Sequence, residues 1–231
     1  MRLSTIIDIS LVDVPGVPVT VIFTGGCNFD CPFCQNAEII PLDSGDVLSP
    51  EEVVAKARGN LSNGYCITGG EPTIHKDLPD LLQALRNDGA GHINLNTQGS
   101  VPSILEKSLP FVDSIWFDFK TVPEKYQYVA RTKSDPWPRV SESIDLIMNS
   151  DVTFWPRTTY VGGLMTREDI VGIISYLESI GFQGDYTVQN YMGSAGVRSE
   201  ESKMLELPNK SDIESLQDSM PPGIYLKIEW R

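Results

Sequence analysis

Alternating apolar strands and capped helices place this chain in the α/β class, as a partial (β/α)6 barrel of parallel strands. Three observations carry that expectation. Short runs rich in Val, Ile, Thr and aromatic residues recur along the chain, VTVIFT at Val19–Thr24 being the first. Stretches with the helical period separate them. Polar and charged residues gather just past the ends of the runs, where the loops of a parallel sheet converge on one face.

Val19–Thr24 reads as the first strand. Ser49, Pro50 and Glu52 then spell a helix start: Ser49 as cap, Pro50 at the tolerated first position and Glu52 completing a capping box, with the helix ending near Asn60. A strand at 65–68 follows, then a helix at 78–86 with Leu81, Leu82 and Leu85 on one face, and a strand at 93–96. Further strands are expected at 114–119, 152–160 and 186–189, with helices at 140–149 and 170–180. Ser211 and Glu214 suit the start of a last helix, and Pro221, Pro222 and Gly223 turn the chain into an apolar strand at 224–228. The expectation is one domain over 1–231, with an N-terminal segment at 1–18, a core at 19–192 and a C-terminal helix and strand within 200–231.

Composition narrows the function classes. At 41% hydrophobic and 21% charged, the 231 residues suit a globular chain with a substantial core. Thirty-one acidic residues against 18 basic ones give a net charge of −13, and no basic stripe interleaved with aromatics occurs, so nucleic acid is not an expected partner. No run of about 18 apolar residues and no secretory leader is evident, so the chain is read as cytoplasmic and free of membrane.

The strongest local signal is GGCNFDCPFCQN, which spaces Cys27, Cys31 and Cys34 as Cys-x3-Cys-x2-Cys. Soft thiolate sulfur selects zinc or iron-sulfur clusters, and a short loop carrying Asp30 and Pro32 suits wrapping one cube. Three thiolates serve three irons of a [4Fe-4S] cluster and leave the fourth open for chemistry. Cys66 lies in an apolar, strand-like stretch and is read as packing. The alternatives are a zinc knot, which asks for four ligands, and a disulfide pair, which suits an oxidising compartment.

Other constellations sit at predicted strand ends. Gly69 and Gly70 would let backbone approach a ligand closely, and Glu71 offers an anionic acceptor for an ammonium group; a plain turn is the alternative. Asp118 and Lys120 share one face of a strand with Trp116, while Phe117 and Phe119 take the other. Arg157 could pair with a carboxylate or stack on a ring, or stand on an edge strand. Gln189 and Asn190 end a strand, where amides bind ligands or serve ordinary turns.

The cysteine run resembles the radical S-adenosylmethionine (SAM) enzymes, with Phe33 at the aromatic position of their Cys-x3-Cys-x-aromatic-Cys motif. Gly69, Gly70, Glu71 and Pro72 resemble their GGEP segment, which binds the methionine amine. Residues 94–99, NLNTQG, resemble the Asp-Thr-Asn-Gly strand end of activating enzymes, with Asn96 where that family writes Asp. The resemblance implies that Asn96 and Thr97 meet the SAM ribose or, with Asp118, help hold a monovalent cation. It further implies that Lys120 neutralises the methionine carboxylate and that Arg157 reaches the SAM site; Gln189 and Asn190, read from their place at a strand end alone, could hydrogen-bond adenine or substrate. Across nearly the whole chain the resemblance is to anaerobic ribonucleotide reductase activating proteins and pyruvate formate-lyase activating enzymes, although Gln35 follows the last cysteine where they often have His. It implies reductive SAM cleavage to a 5′-deoxyadenosyl radical, a glycyl radical enzyme as substrate, and an external electron donor such as flavodoxin or ferredoxin. Rival readings are radical modification of a small molecule, an RNA base or another protein, and a cluster-binding electron carrier without catalysis.

Overall fold

The computed structural model describes residues 1–59 and 62–231. In chain order it runs β1 (Arg2–Ser10), β2 (Val19–Thr24), β3 (Asp46–Val47), α1 (Pro50–Ala57), β4 (Gly64–Gly69), α2 (Leu78–Asn87) and β5 (His92–Thr97). There follow α3 (Pro102–Ser108), β6 (Ser114–Asp118), α4 (Tyr126–Ala130), α5 (Trp137–Met148), β7 (Thr153–Tyr160) and α6 (Arg167–Ser179). The chain closes with β8 (Gly184–Asn190), α7 (Ser199–Ser202), α8 (Lys210–Glu214) and β9 (Ile224–Glu229). It is an α/β fold with a mostly parallel sheet, packed as two compact units.

The first unit comprises Met1–Asn28, Glu38–Trp116 and Pro138–Phe154. Its strands lie in the order β3-β1-β2-β4-β5-β6, with β1 antiparallel to both neighbours and β2, β4 and β5 parallel. Register levels the strand ends: Thr24 stands beside Gly69 and Ile67 beside Leu95, so β2, β4 and β5 release their loops from one edge. Val21, Ile22, Ile67, Ile93 and Leu95 fill the core, against Val53 and Val54 of α1 and the four leucines of α2, Leu78, Leu81, Leu82 and Leu85. Burying each such leucine stabilises the unit by about 1.5–3 kcal/mol.

The second unit comprises Phe29–Ala37, Phe117–Trp137 and Trp155–Arg231. Here β7, β8 and β9 are parallel, and the Phe119 amide bonds the Arg157 carbonyl at 2.8 Å beside the end of β6. Phe117, Phe119, Tyr126, Val129, Ile170, Ile173, Tyr186 and Val188 are buried within it.

Most predicted elements stand within two or three residues of their expected bounds, and the Ser49–Glu52 capping box forms as its residues require. The differences have physical causes. Helix α1 ends at Ala57, and the expected end at Asn60 lies outside the described residues. Arg2–Ser10, expected only as a lead-in segment, is a full strand whose bulges break the alternation that would have revealed it. Helix α3 lacks a side-chain cap, and its seven residues are too short to show a period. The cap of α8 is Asn209, whose side chain accepts the Ser211 amide; Ser211 lies inside the helix.

Candidate functional site

In the first unit Cys27 follows directly on β2, its amide held by the Ile40 carbonyl at 2.9 Å. The β4 exit is locked beside it: Gly70 donates to the Thr24 carbonyl and Glu71 to the Gly26 carbonyl, both at 2.9 Å. A Cβ on Gly70 would stand 1.9 Å from the Gly26 oxygen, and one on Gly69 2.3 Å from backbone atoms of Thr24. The glycine pair is thus demanded by the neighbouring strand end, a reason distinct from the close approach to a ligand that the sequence suggested.

Glu71 is 1% exposed, yet its carboxylate has four donors. Oε1 accepts from the Thr73 amide at 3.0 Å and from the hydroxyls of Thr73 and Thr97 at 2.6 Å, and Oε2 accepts from the Gln98 amide at 2.9 Å. Burial pushes its pKa up, and the bonds from Gln98, Thr73 and Thr97 offset only part of that rise. Gln98 extends the network, donating from Nε2 to Asn28 Oδ1 at 3.0 Å and to Ser100 Oγ at 2.8 Å. Its own Oε1 is buried without a hydrogen-bond partner. The end of β5 is thereby tied both to the GGEP loop and to the residue after Cys27.

Asn96 turns along the sheet, its Oδ1 accepting from Asn94 at 2.6 Å and facing Cys66 Sγ at 3.7 Å, its Nδ2 donating to Thr68 at 3.3 Å. Cys66 is fully buried and also accepts from Asn94 at 3.5 Å.

In the second unit Cys31 and Phe33 are buried and Cys34 is half-buried, the Cys34 amide bonding the Cys31 carbonyl at 3.2 Å. This loop is fastened on two sides. The Asp30 amide bonds Ala130 at the end of α4 at 2.9 Å, and the Asp30 carboxylate pairs with Arg198 at 2.7 Å. Ala37 donates to Gly196 at 3.1 Å, and a Cβ on Gly196 would meet the Gln35 carbonyl at 1.7 Å. Phe29 packs edge-on against Tyr126, whose buried hydroxyl takes the Lys120 amide at 3.2 Å.

Asp118, Lys120 and Arg157 form one cluster. Nε and Nη2 of Arg157 both reach Asp118 Oδ1 at 2.8 Å, while Lys120 Nζ stands 3.4 Å from Oδ2. Burial alone would raise the Asp118 carboxyl, but the charges of Arg157 and Lys120 and their hydrogen bonds outweigh it and hold it below the usual range. Burial pushes the Cys31 thiol up to about 11, with Lys120 pulling the other way. Gln189 donates to Thr159 at 2.9 Å, and both ends of the Asn190 amide bond the Arg231 backbone, so Asn190 anchors the C-terminus.

The structure therefore gathers Gly69, Gly70, Glu71 and Thr97 in one network with Asn28 and Gln98, and Asp118, Lys120 and Arg157 in another with Tyr126. Asn28, Thr73, Gln98, Ser100, Tyr126 and Arg198 were missed by sequence reasoning; Asn28 and Gln98 lie inside the motifs already read, which was the one signal available for them. Among the described residues no three His, Cys, Asp or Glu side chains cluster to hold a single metal ion.

A sequence profile of the Radical SAM superfamily matches residues 21–177. The chain belongs to the radical SAM superfamily. A Methanocaldococcus jannaschii protein named provisionally as a glycyl-radical enzyme activating enzyme is 27% identical over 218 residues, covering 92% of this chain and 89% of that protein. A Thermoplasma volcanium protein named as a GTP 3′,8-cyclase is 36% identical over 107 residues, but they make up only 43% of this chain and 32% of that protein. Among solved structures, Streptococcus suis SuiB bound to S-adenosylmethionine superimposes with a TM-score of 0.63 at 16% identity, over 88% of this chain and 48% of SuiB. Radical SAM enzymes use a [4Fe-4S] cluster and SAM, and the donor chemistry present suits them: Cys27, Cys31 and Cys34 are in no disulfide, and the charge of Lys120 bears on Cys31. No helix among the described residues is long and apolar enough to cross a membrane.

Proposed function

We propose that this radical SAM enzyme activates a glycyl radical enzyme, preparing the backbone Cα of a glycine in a large protein partner for hydrogen abstraction. The observation that carries the reading is the likeness to the Methanocaldococcus protein over nearly the full length of both chains. The likeness to the cyclase covers under a third of that protein and supports only the shared cofactor chemistry.

Bound together, the cluster and SAM supply a 5′-deoxyadenosyl radical. This chain's residues bind, orient and shield. Cys27, Cys31 and Cys34 would hold the cluster, leaving one iron for the amine and carboxylate of SAM. With its thiol favoured up to about pH 11, Cys31 gives up a proton when iron binds, so loading the cluster releases protons. Lys120 would meet the methionine carboxylate as a point charge, and Arg157 keeps Asp118 neutralised when Lys120 turns to the ligand. Glu71 fixes the GGEP loop through Oε1, and Oε2, with one donor, keeps acceptor capacity for the ammonium group. Thr97 acts through Glu71 and Phe33 packs the cysteine loop, while to meet ribose or adenine Asn96 would give up its bonds to Asn94 and Thr68, and Gln189 its bond to Thr159. A monovalent cation finds poor ligands, because Asp118 is matched by two side-chain cations and the Asn96 oxygen is taken by Asn94.

The electron comes from a carrier of the flavodoxin or ferredoxin class, and the protein works in the cytoplasm. Anaerobic incubation of the cluster-loaded protein with SAM, a reductant and a glycyl radical enzyme from the same genome tests the reading. It predicts a glycine-centred radical signal in the partner. SAM cleavage coupled efficiently to a small metabolite, with no radical on any such partner, would contradict it.

A further inference from the structure

Residues 194–202 touch the cysteine loop on both sides of Cys31 and Cys34. Before Cys31, Arg198 Nη2 pairs with the Asp30 carboxylate at 2.7 Å and reaches the Asp30 carbonyl at 3.5 Å. After Cys34, the Gly196 carbonyl accepts the Ala37 amide at 3.1 Å, and Gly196 lies so close to the Gln35 carbonyl that no Cβ fits between them. A third attachment runs through the end of α4. The Asp30 amide is bonded to Ala130, and the next residue, Arg131, grips Glu201 with both Nη atoms, one on each carboxylate oxygen, the Nη2 bond being 2.8 Å. Apolar packing adds little, since Val197 is the one buried residue of the stretch.

Two of these attachments break a local rule. Arg131 ends α4 at φ 50° and ψ 51°, the one non-glycine residue with positive φ among the described residues, at a helix end where glycine is free of strain. The Arg198 guanidinium is held with its Nε buried and without a hydrogen-bond partner, so it carries the desolvation penalty of an unpaired donor. Residues kept in such states mark function more than stability.

We propose that residues 194–202 form a strap that retains the cluster, with Arg131 and Arg198 as the positioning residues that latch it, so that opening of the strap limits how fast iron leaves Cys31 and Cys34. The proposal rests on those cysteines holding the cluster and is independent of the substrate. A segment with one buried apolar residue opens locally at small free-energy cost unless polar contacts close it. The arginine fork supplies that closure where a glycine cap could not, because it is planar, bidentate and always charged. Both latches lie partly in solvent, the Arg131 side chain being 38% exposed and that of Arg198 39%, so salt weakens them.

The test is the rate at which a ferrous-iron chelator strips the anaerobically reconstituted protein, read beside its Tm. Arg131→Gly removes a latch and relieves the strained φ together, so release should quicken about threefold to fivefold, the order that one ion pair supplies, while Tm stays near the wild-type value. A backbone role alone predicts the reverse, with release unchanged or slower from a more stable protein. Arg198→Gln should quicken release to a similar degree, and Arg198→Lys, which keeps a positive charge beside Asp30, should restore much of the retention. Arg131→Gly combined with Glu201→Gln should release iron no faster than the faster single variant, because all three lose the same contact. Raising salt from about 0.05 to 1 M should quicken release from the wild type, and less so from the protein carrying both Arg131→Gly and Arg198→Gln. Unchanged release in both arginine variants, additive effects of Arg131→Gly and Glu201→Gln, or faster release only where Tm falls would overturn the strap. A wild type that takes up no iron would overturn the choice of cysteines and the strap with it, so the two failures read differently.

Discussion

Glu71 and Asp118 are carboxylates of opposite electrostatic character, and the difference is measurable. Four donors converge on Glu71, and removing it would leave buried amide and hydroxyl groups of Thr73, Thr97 and Gln98 without their acceptor. Glu71→Ala should therefore cost about 3 kcal/mol, seen as a fall in Tm of about 6–12 °C, as well as weakening SAM binding. A loss of SAM affinity with unchanged Tm would make Glu71 a ligand and nothing more. For Asp118 the folded pKa is depressed, so its contribution to stability is present above the unfolded value, near 3.9, and is lost as pH falls through the lower folded value. Thermal unfolding of the cluster-free protein between about pH 5 and 3 should show a steeper acid loss in the wild type than in Asp118→Asn. Parallel curves would remove Asp118 as the source. Glu71, with a raised pKa, works in the opposite sense, its contribution falling as pH rises through the folded value. Among the thiols, Cys31→Ala should abolish iron binding, whereas Cys66→Ala should keep iron and lose about 1–2 kcal/mol from its buried contacts with Asn94 and Asn96. Equal iron loss in both would reverse that assignment. The cysteines, the GGEP loop and the Asp118–Lys120 pair were legible because their spacing is local. Tyr126 and Arg198 were not, since each reaches the site from a distant part of the chain and only folding reveals it.

At the scale of elements, the close approach of β2 and β4 at their exits is the contact that places Cys27 beside the GGEP loop. It rests on missing side chains. Gly70→Ala would drive a methyl into the Gly26 carbonyl, with backbone on both sides, so it should destabilise by well over about 2 kcal/mol and lower cluster occupancy. A soluble Gly70→Ala protein with wild-type Tm and iron would refute this close packing. The parallel strands and amphipathic helices were readable because burial on one face or both imposes a period on the sequence. Strand β1 and helix α3 were not, because bulges in one and seven uncapped residues in the other erase that period. The α8 cap was misplaced by two residues for a related reason: Asn209 and Ser211 are both competent caps, and the choice between them falls to packing.

For the whole molecule, membership of the radical SAM superfamily fixes the cofactors and leaves the substrate to be determined, since one cofactor machinery serves many reactions. A net charge of −13 sets conditions on any partner: an acidic protein must approach through a neutral or locally basic surface, and raising the salt should ease that approach. Everything proposed for the reaction depends on a cluster held by Cys27, Cys31 and Cys34 that cleaves SAM. The direct measurement is 5′-deoxyadenosine formed by the anaerobically reconstituted, reduced protein, read beside its iron and sulfide content. We predict four irons and four sulfides per chain, with 5′-deoxyadenosine appearing in the wild type and absent from Cys31→Ala. A protein that holds its cluster and yields no 5′-deoxyadenosine, or that binds zinc in its place, would contradict the account.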